Sequence, residues 1–164
     1  MKTFEGKVVI VTGGSSGIGA ASALQFARDG AKVVIAARRK EQSEAVVRQI
    51  EALGAEGLFI QTDVSRRADA EAMVEATLAR FGRLDCAVNN AGVVGPVFTP
   101  AADIDEDGWD HVMNVNLKGV WMCMKYEIPA MLRQGNGAIV NISSIYGYKP
   151  SDAGHAPYSA SKFG

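Results

Sequence analysis

An unbroken apolar run that ends in clustered glycines constrains this chain more than any other feature. Residues 7–12 read Lys-Val-Val-Ile-Val-Thr and pass directly into Gly13-Gly14-Ser15-Ser16-Gly17-Ile18-Gly19. Apolar residues without alternation mark a strand covered on both faces, as in parallel sheets. Ala20, Leu24 and Ala27 then recur at helical spacing, and Gly30 is a candidate C-cap. The unit reads strand, glycine turn, helix. Glycines let the backbone turn sharply and approach a pyrophosphate, while the helix N-terminus supplies N–H donors and a positive dipole end. The spacing is G-x-x-x-G-x-G, not G-x-G-x-x-G. A glycine loop alone fits any tight turn of small residues. Its place between a first strand and a first helix points to dinucleotide binding through Gly13, Ser15, Ser16, Gly17, Ile18 and Gly19.

The rest of the chain repeats the alternation. Short β-branched runs at 33–36, 58–60, 85–89 and 138–142 predict four more strands. Between them lie helical patterns: Val46, Val47, Ile50 and Leu53 before Gly54, then Val74, Leu78 and Phe81 before Gly82. A long helix is expected over 106–132, with Val120, Met124, Ile128 and Met131 in register, and another begins near Pro157 and Tyr158. Strand–helix alternation of this kind gives an α/β, doubly wound parallel sheet, Rossmann-like, with strand order 3-2-1-4-5. No linker or shift in composition divides the 164 residues, so 1–164 reads as one dinucleotide-binding domain. That fold usually has a sixth strand, and here the sequence stops two residues after Lys162. The chain therefore reads as incomplete at its C-terminus.

Composition removes several classes of function. Seventeen Lys and Arg against eighteen Asp and Glu leave a formal charge of -1, with no basic excess to hold nucleic acid or an anionic membrane. Cys86 and Cys123 are far apart, with no C-x-x-C, so neither a metal site nor a disulfide framework is expected. No stretch approaches the ~18 uninterrupted apolar residues of a membrane span. A cytoplasmic protein with reduced thiols is the expectation.

The end of the second strand selects the nucleotide. An acid about 20 residues beyond the glycines would bind an NAD ribose, whereas arginine suits the 2′-phosphate of NADP. The chain reads Ala36-Ala37-Arg38-Arg39-Lys40, with no acid before Glu41. Guanidinium forks hold phosphate bidentately, so Arg38 is the first candidate and Arg39 the second. NADP is expected, with NAD as the alternative; a solvated basic helix start would look the same.

Residues 12–19, Asn89-Asn90-Ala91-Gly92, Asn116, Ser144 and Tyr158-Ser159-Ala160-Ser161-Lys162, in this order and spacing, resemble the short-chain dehydrogenase/reductase family in its compact single-domain branch. The resemblance covers essentially the whole chain. It implies an oxidoreductase that interconverts an alcohol and a carbonyl, with a longer chain carrying the last strands and most of the substrate loop. The chemistry of the motif is readable on its own. Tyr158 and Lys162 are four apart on an expected helix and share a face. An unaided phenol, of pKa about 10, is a poor proton shuttle at neutral pH. A nearby ammonium and an oxidised nicotinamide would stabilise its phenolate. The resemblance further implies that Lys162 holds the nicotinamide ribose.

Ser144 ends the fifth strand, at the edge where open α/β sheets bind ligands, and can donate to a carbonyl oxygen. Ser143 competes for that role, and the family's Ser-x-x-Gly turn favours Ser144. Asn116 resembles the family asparagine that holds a relay water; Asn114 and an ordinary exposed polar residue are the alternatives. By the same resemblance Asn90, Ala91 and Gly92 pack on the adenosine side, and Asp63 with Val64 meets the adenine. Asp63 also fits a helix N-cap. Some NADP-using relatives place a basic residue before the second glycine of the turn, where this chain has Ser16, which leaves Arg38 to hold the phosphate largely alone. Tyr146, Tyr148 and His155 are either substrate contacts or exposed loop residues. The expected partner is a small alcohol or carbonyl, with the full-length form a homo-oligomer. The contrasting reading is a nucleotide-binding module, or an inactive piece, without catalysis.

Overall fold

The computed structural model describes residues 2–149 and 154–164. Five strands, β1 (Val8–Thr12), β2 (Lys32–Ala37), β3 (Gly57–Gln61), β4 (Cys86–Asn89) and β5 (Ala138–Asn141), pair in parallel in the order β3-β2-β1-β4-β5. This is the doubly wound arrangement that the alternation predicts. β1 lies at the centre because its side chains are apolar in both directions. Val9 and Val11 face a cluster containing Ala23 and Ala27 of helix α1 (Gly17–Arg28) and Val46 and Ile50 of α2 (Lys40–Ala52). Ile10 faces the other side, with Met73 and Val74 of α3 (Arg67–Phe81) and Met122 and Met131 of α5 (Gly119–Arg133). Each fully buried Val, Ile or Met side chain among these contributes roughly 1.5–3 kcal/mol relative to exposure, and each alanine less.

Register at the N-terminal edge is set by one carboxylate. Asp85 accepts the Val8 N–H at 2.9 Å and pairs with Arg83 and Lys7, tying the start of β1 to the start of β4. Burial pushes this carboxyl up, but the Arg83 bond, the Val8 bond and the arginine's charge together hold it below the ordinary aspartate value.

Two expectations are corrected. The strands are not all covered on both faces: Val140 of β5 is 52% exposed, because β5 forms an edge of the sheet with part of its surface uncovered. The long helix is also not one regular helix. α4 (Glu106–Met113) runs into a π turn over Asn114–Lys118 before α5 begins. Such wide single turns inside α-helices are frequent at functional sites. The last helix, α6 (Ala156–Phe163), starts with Pro157 in its first turn, where a missing N–H costs nothing. No helix among the described residues is long and apolar enough to cross a membrane.

Candidate active site

The C-terminal ends of β1, β2, β3 and β4 open onto a cleft of about 470 Å³. Its floor is the glycine turn. Gly13 has φ +66°, a left-handed conformation that a side chain would strain, and a Cβ there would meet Ala91 at 2.9 Å. Gly19 lies behind the turn rather than in the cleft, where a Cβ would come within 2.5 Å of the Gly13 carbonyl oxygen. Its task is close packing of α1 against the turn. Gly17 likewise does not line the cleft, whereas Ser15, Ser16 and Ile18 do.

The wall from β4 is fixed by Thr12. Its hydroxyl oxygen accepts the N–H groups of Asn90 (3.0 Å) and Ala91 (3.1 Å), and the Asn90 side chain donates back to the carbonyls of Thr12 (3.0 Å) and Gly13 (3.3 Å). Asn90 thus braces the turn while Ala91 and Gly92 present backbone to the cleft. Across from them stand Asp63 and Val64. Asp63 is not the N-cap of α3: its carboxylate accepts the N–H and the hydroxyl of Ser65 (3.0 and 2.7 Å), closing the loop before the helix, whose N-cap is Arg66. Burial raises the Asp63 carboxyl, yet the two Ser65 bonds, with Arg38 and Arg66 nearby, hold it below its ordinary value.

Both arginines after β2 line the cleft, but only one reaches the glycine turn. Arg39 Nη2 donates to Ser15 Oγ at 2.9 Å and to Ser16 Oγ at 2.6 Å. The basic group that Ser16 does not supply is therefore brought there by Arg39. The sequence places two arginines side by side, and only the direction of the chain leaving β2 distinguishes them.

The residues expected to do chemistry stand beside this cleft rather than on its lining. Asn116 is buried, 3% exposed, and belongs to the π turn, which removes the alternative of an ordinary exposed polar residue. Its amide pairs with both backbone groups of Val93, each at 2.8 Å, and donates to Ser161 Oγ at 3.0 Å. It therefore staples the loop after β4 to α6. Lys162, half-buried on α6, donates to the Ile142 carbonyl at 2.7 Å, and burial draws its ammonium below the ordinary lysine value. Both groups flank Gly92: a Cβ built there would lie 3.4 Å from Asn116 Oδ1 and 3.7 Å from Lys162 Nζ. The same ammonium sits 5.9 Å from the centre of the Tyr158 ring.

The two serines after β5 differ in how they use their protons. Ser143 donates its hydroxyl to the Lys162 carbonyl at 3.0 Å. The Ser144 oxygen instead accepts the Tyr146 N–H at 3.2 Å, capping a short 3₁₀ turn at Ile145–Gly147. The Tyr146 ring packs edge-on to Tyr158 (6.4 Å) and to His155 (5.5 Å), so Tyr146 and His155 belong to this cluster. Tyr148 is 88% exposed.

A family model described as short chain dehydrogenase matches residues 7–164. The chain belongs to this family. Among its relatives, the short chain dehydrogenase/reductase astE of Aspergillus oryzae is 45% identical over 99% of this chain and 62% of its own length. Among solved structures, levodione reductase superposes with a TM-score of 0.94 at 36% identity, covering 98% of this chain and 62% of that one. An NAD+-bound xylitol dehydrogenase gives 0.94 at 31% identity, covering 99% and 62%. The chain thus spans 62% of the length of these family members.

Proposed function

We propose that this chain carries the cofactor site and acid–base residues of an oxidoreductase that interconverts an alcohol and a carbonyl with NADP(H), the whole of 1–164 acting as one cofactor-binding domain. The observation that carries this reading is the position of Lys162. Its ammonium is tied to the rim of β5, flanks Gly92 of the glycine-turn cleft, and faces the Tyr158 ring. One cation thus connects a dinucleotide-shaped cleft to a phenol.

The cleft residues fit such a cofactor. A bare Gly13 and the α1 N-terminus suit a pyrophosphate, and Asp63 with Val64 forms a wall suited to adenine. Arg39, held over Ser15 and Ser16 with Arg38 beside it, suits a 2′-phosphate and favours NADP over NAD. A bound nicotinamide supplies or takes up the hydride. In the reducing direction Tyr158 gives its hydroxyl proton to the substrate oxygen, and the Ser144 hydroxyl, whose own proton is not spent within the protein among the described residues, donates to that oxygen as charge develops. Lys162 holds a positive charge beside the phenol and would orient the ribose side of a bound cofactor. Asn116, bonded to Val93 and to Ser161, keeps α6 and the Val93 loop in register.

The substrate is a small alcohol or carbonyl, a class consistent with the names levodione reductase and xylitol dehydrogenase among the neighbours. The exposed Trp121, Ile128 and Leu132 on α5 support homo-oligomerisation, and the free thiols of Cys86 and Cys123 support a cytoplasmic setting. The test is NADPH oxidation against a panel of ketones, with calorimetric titration of NADPH and NADH. Turnover that prefers NADPH supports the proposal; binding without turnover on any carbonyl supports a nucleotide-binding module instead.

A further inference from the structure

α5 carries a carboxyl side chain, Glu127, that solvent does not reach and that no cation pairs with among the described residues. Its Oε2 accepts from Asn89 Nδ2 at 3.0 Å. Its Oε1 has no partner. Neither does Asn89 Oδ1, and these two acceptors are the buried side-chain polar atoms left unsatisfied among the described residues. They are the remaining oxygens of the two side chains that the Nδ2–Oε2 bond joins. Turning the Asn89 amide over does not relieve this, because Nδ2 donates both to Glu127 Oε2 at 3.0 Å and to Asn141 Oδ1 at 3.1 Å, so a flip would set its oxygen against the glutamate oxygen as well as the asparagine's. A carboxylate can take one N–H from an amide and leaves the amide oxygen unpaired. A carboxylic acid can make both bonds at once, N–H to one oxygen and O–H to the amide oxygen.

We propose that Glu127 is a neutral carboxylic acid that closes a two-bond ring with the Asn89 amide, and that it is a positioning residue for the active-site rim. The proton on Oε1 satisfies both orphaned atoms with nothing added to the site. The ring then leads to the site by a continuous path. Asn89 and Asn141 face each other across β4 and β5. The Ile142 N–H donates to the Asn89 carbonyl at 3.0 Å, and the Ile142 carbonyl accepts the Lys162 ammonium at 2.7 Å. The pairing is independent of the activity proposed above; its effect on Lys162 rests on that reading.

The surroundings supply no competing charge. On the same helix Cys123 stands one turn earlier, its thiol pushed up and kept neutral by burial. β4 offers Cys86 at its opposite end, beside Lys7 and Asp85, and β5 has no ionisable side chain. Arg67 and Glu71 of α3 are engaged with the Tyr126 hydroxyl. Burial alone raises the Glu127 carboxyl to about 7 against the pull of the Asn89 N–H, and the O–H bond favours the neutral form further.

The test uses the whole chain labelled with ¹³C at the glutamate side-chain carboxyls, followed by NMR from pH 5 to pH 9. One resonance stays in the protonated position after the other glutamates have titrated, and it is missing from Glu127→Gln. Glutamine can make the same two bonds, so that variant also loses the alkaline fall in thermal stability. The unfolding constant of the wild type rises on the order of a hundredfold more than that of Glu127→Gln across this range. Glutamates that all titrate in the ordinary range overturn the proposal, whether or not any variant folds. An alkaline fall that persists unchanged in Glu127→Gln overturns it as well. Failure of NADPH to bind the wild type would sink the cofactor reading alone, and the labelled resonance would still decide for or against the ring.

Discussion

Replacing Arg39 by alanine separates a phosphate-binding guanidinium from a mere brace of the glycine turn. Arg39 Nη2 already spans Ser15 and Ser16 at 2.9 and 2.6 Å, so its position over the turn is organised before any ligand arrives. Hydrogen bonds to a charged group contribute about 1.5–3 kcal/mol. Arg39 is exposed, so solvent and salt screen the charge and the lower half of that range applies. Arg39→Ala is therefore expected to raise the Kd for NADPH roughly 10- to 40-fold. NADH lacks the 2′-phosphate, and its Kd should move less than about threefold, the part owed to a looser turn. Arg38→Ala, which removes the neighbouring cation beside Asp63, should show the same discrimination more weakly. Calorimetric or fluorescence titration of both nucleotides at two salt concentrations measures this, and the salt dependence of NADPH binding should flatten in Arg39→Ala. Equal losses for NADPH and NADH would show that Arg39 only braces the turn; no loss for either would place the phosphate elsewhere.

Three further outcomes follow from the same geometry. Because the folded value of Glu127 lies above the unfolded one, its neutral form favours the native state; stability contributed at this site falls as pH rises from about 4.5 to about 7, by about 3 kcal/mol, and chemical denaturation of Glu127→Gln should be flat in that window. Asp85 has the opposite sign: its lowered folded value gives stability that is present above the unfolded aspartate value of 3.8 and lost as pH falls through the folded one. Asp85→Asn should cost about 1–3 kcal/mol near neutral pH, with an unchanged Kd for NADPH, since Asp85 sits at the far edge of the sheet. Asn116→Ala strands both backbone groups of Val93 and should lower Tm and kcat together, whereas Asn114→Ala should leave kcat within about threefold.

Much of this architecture is legible in the chain because β1 and its turn leave few alternatives. Four consecutive buried aliphatic residues that lead through Thr12 to a glycine with positive φ can be read directly, and the strand order follows from right-handed crossovers. What escapes sequence reading is tertiary in origin. The π turn at Asn114–Lys118 has the same apolar periodicity as a regular helix; a faint signal is Gly119, where a Cβ would lie 3.0 Å from Val64. Which of Arg38 and Arg39 meets the glycine turn depends on how the backbone leaves β2. Glu127 reads as a surface acid on an amphipathic helix until β4 and β5 are seen to enclose it. Its signal is the absence of any lysine or arginine able to pair with it.

The most direct test of the proposed mechanism is Tyr158→Phe, assayed in the protein with NADPH and whichever carbonyl supports turnover. The ring and its contacts with Tyr146 and Lys162 remain, while the proton donor is lost. The expected result is a fall in kcat of about 10²- to 10⁴-fold, with the Kd for NADPH held within about threefold. Turnover reduced by only a few-fold would contradict it, since the proton would then be coming from somewhere other than the phenol that Lys162 faces.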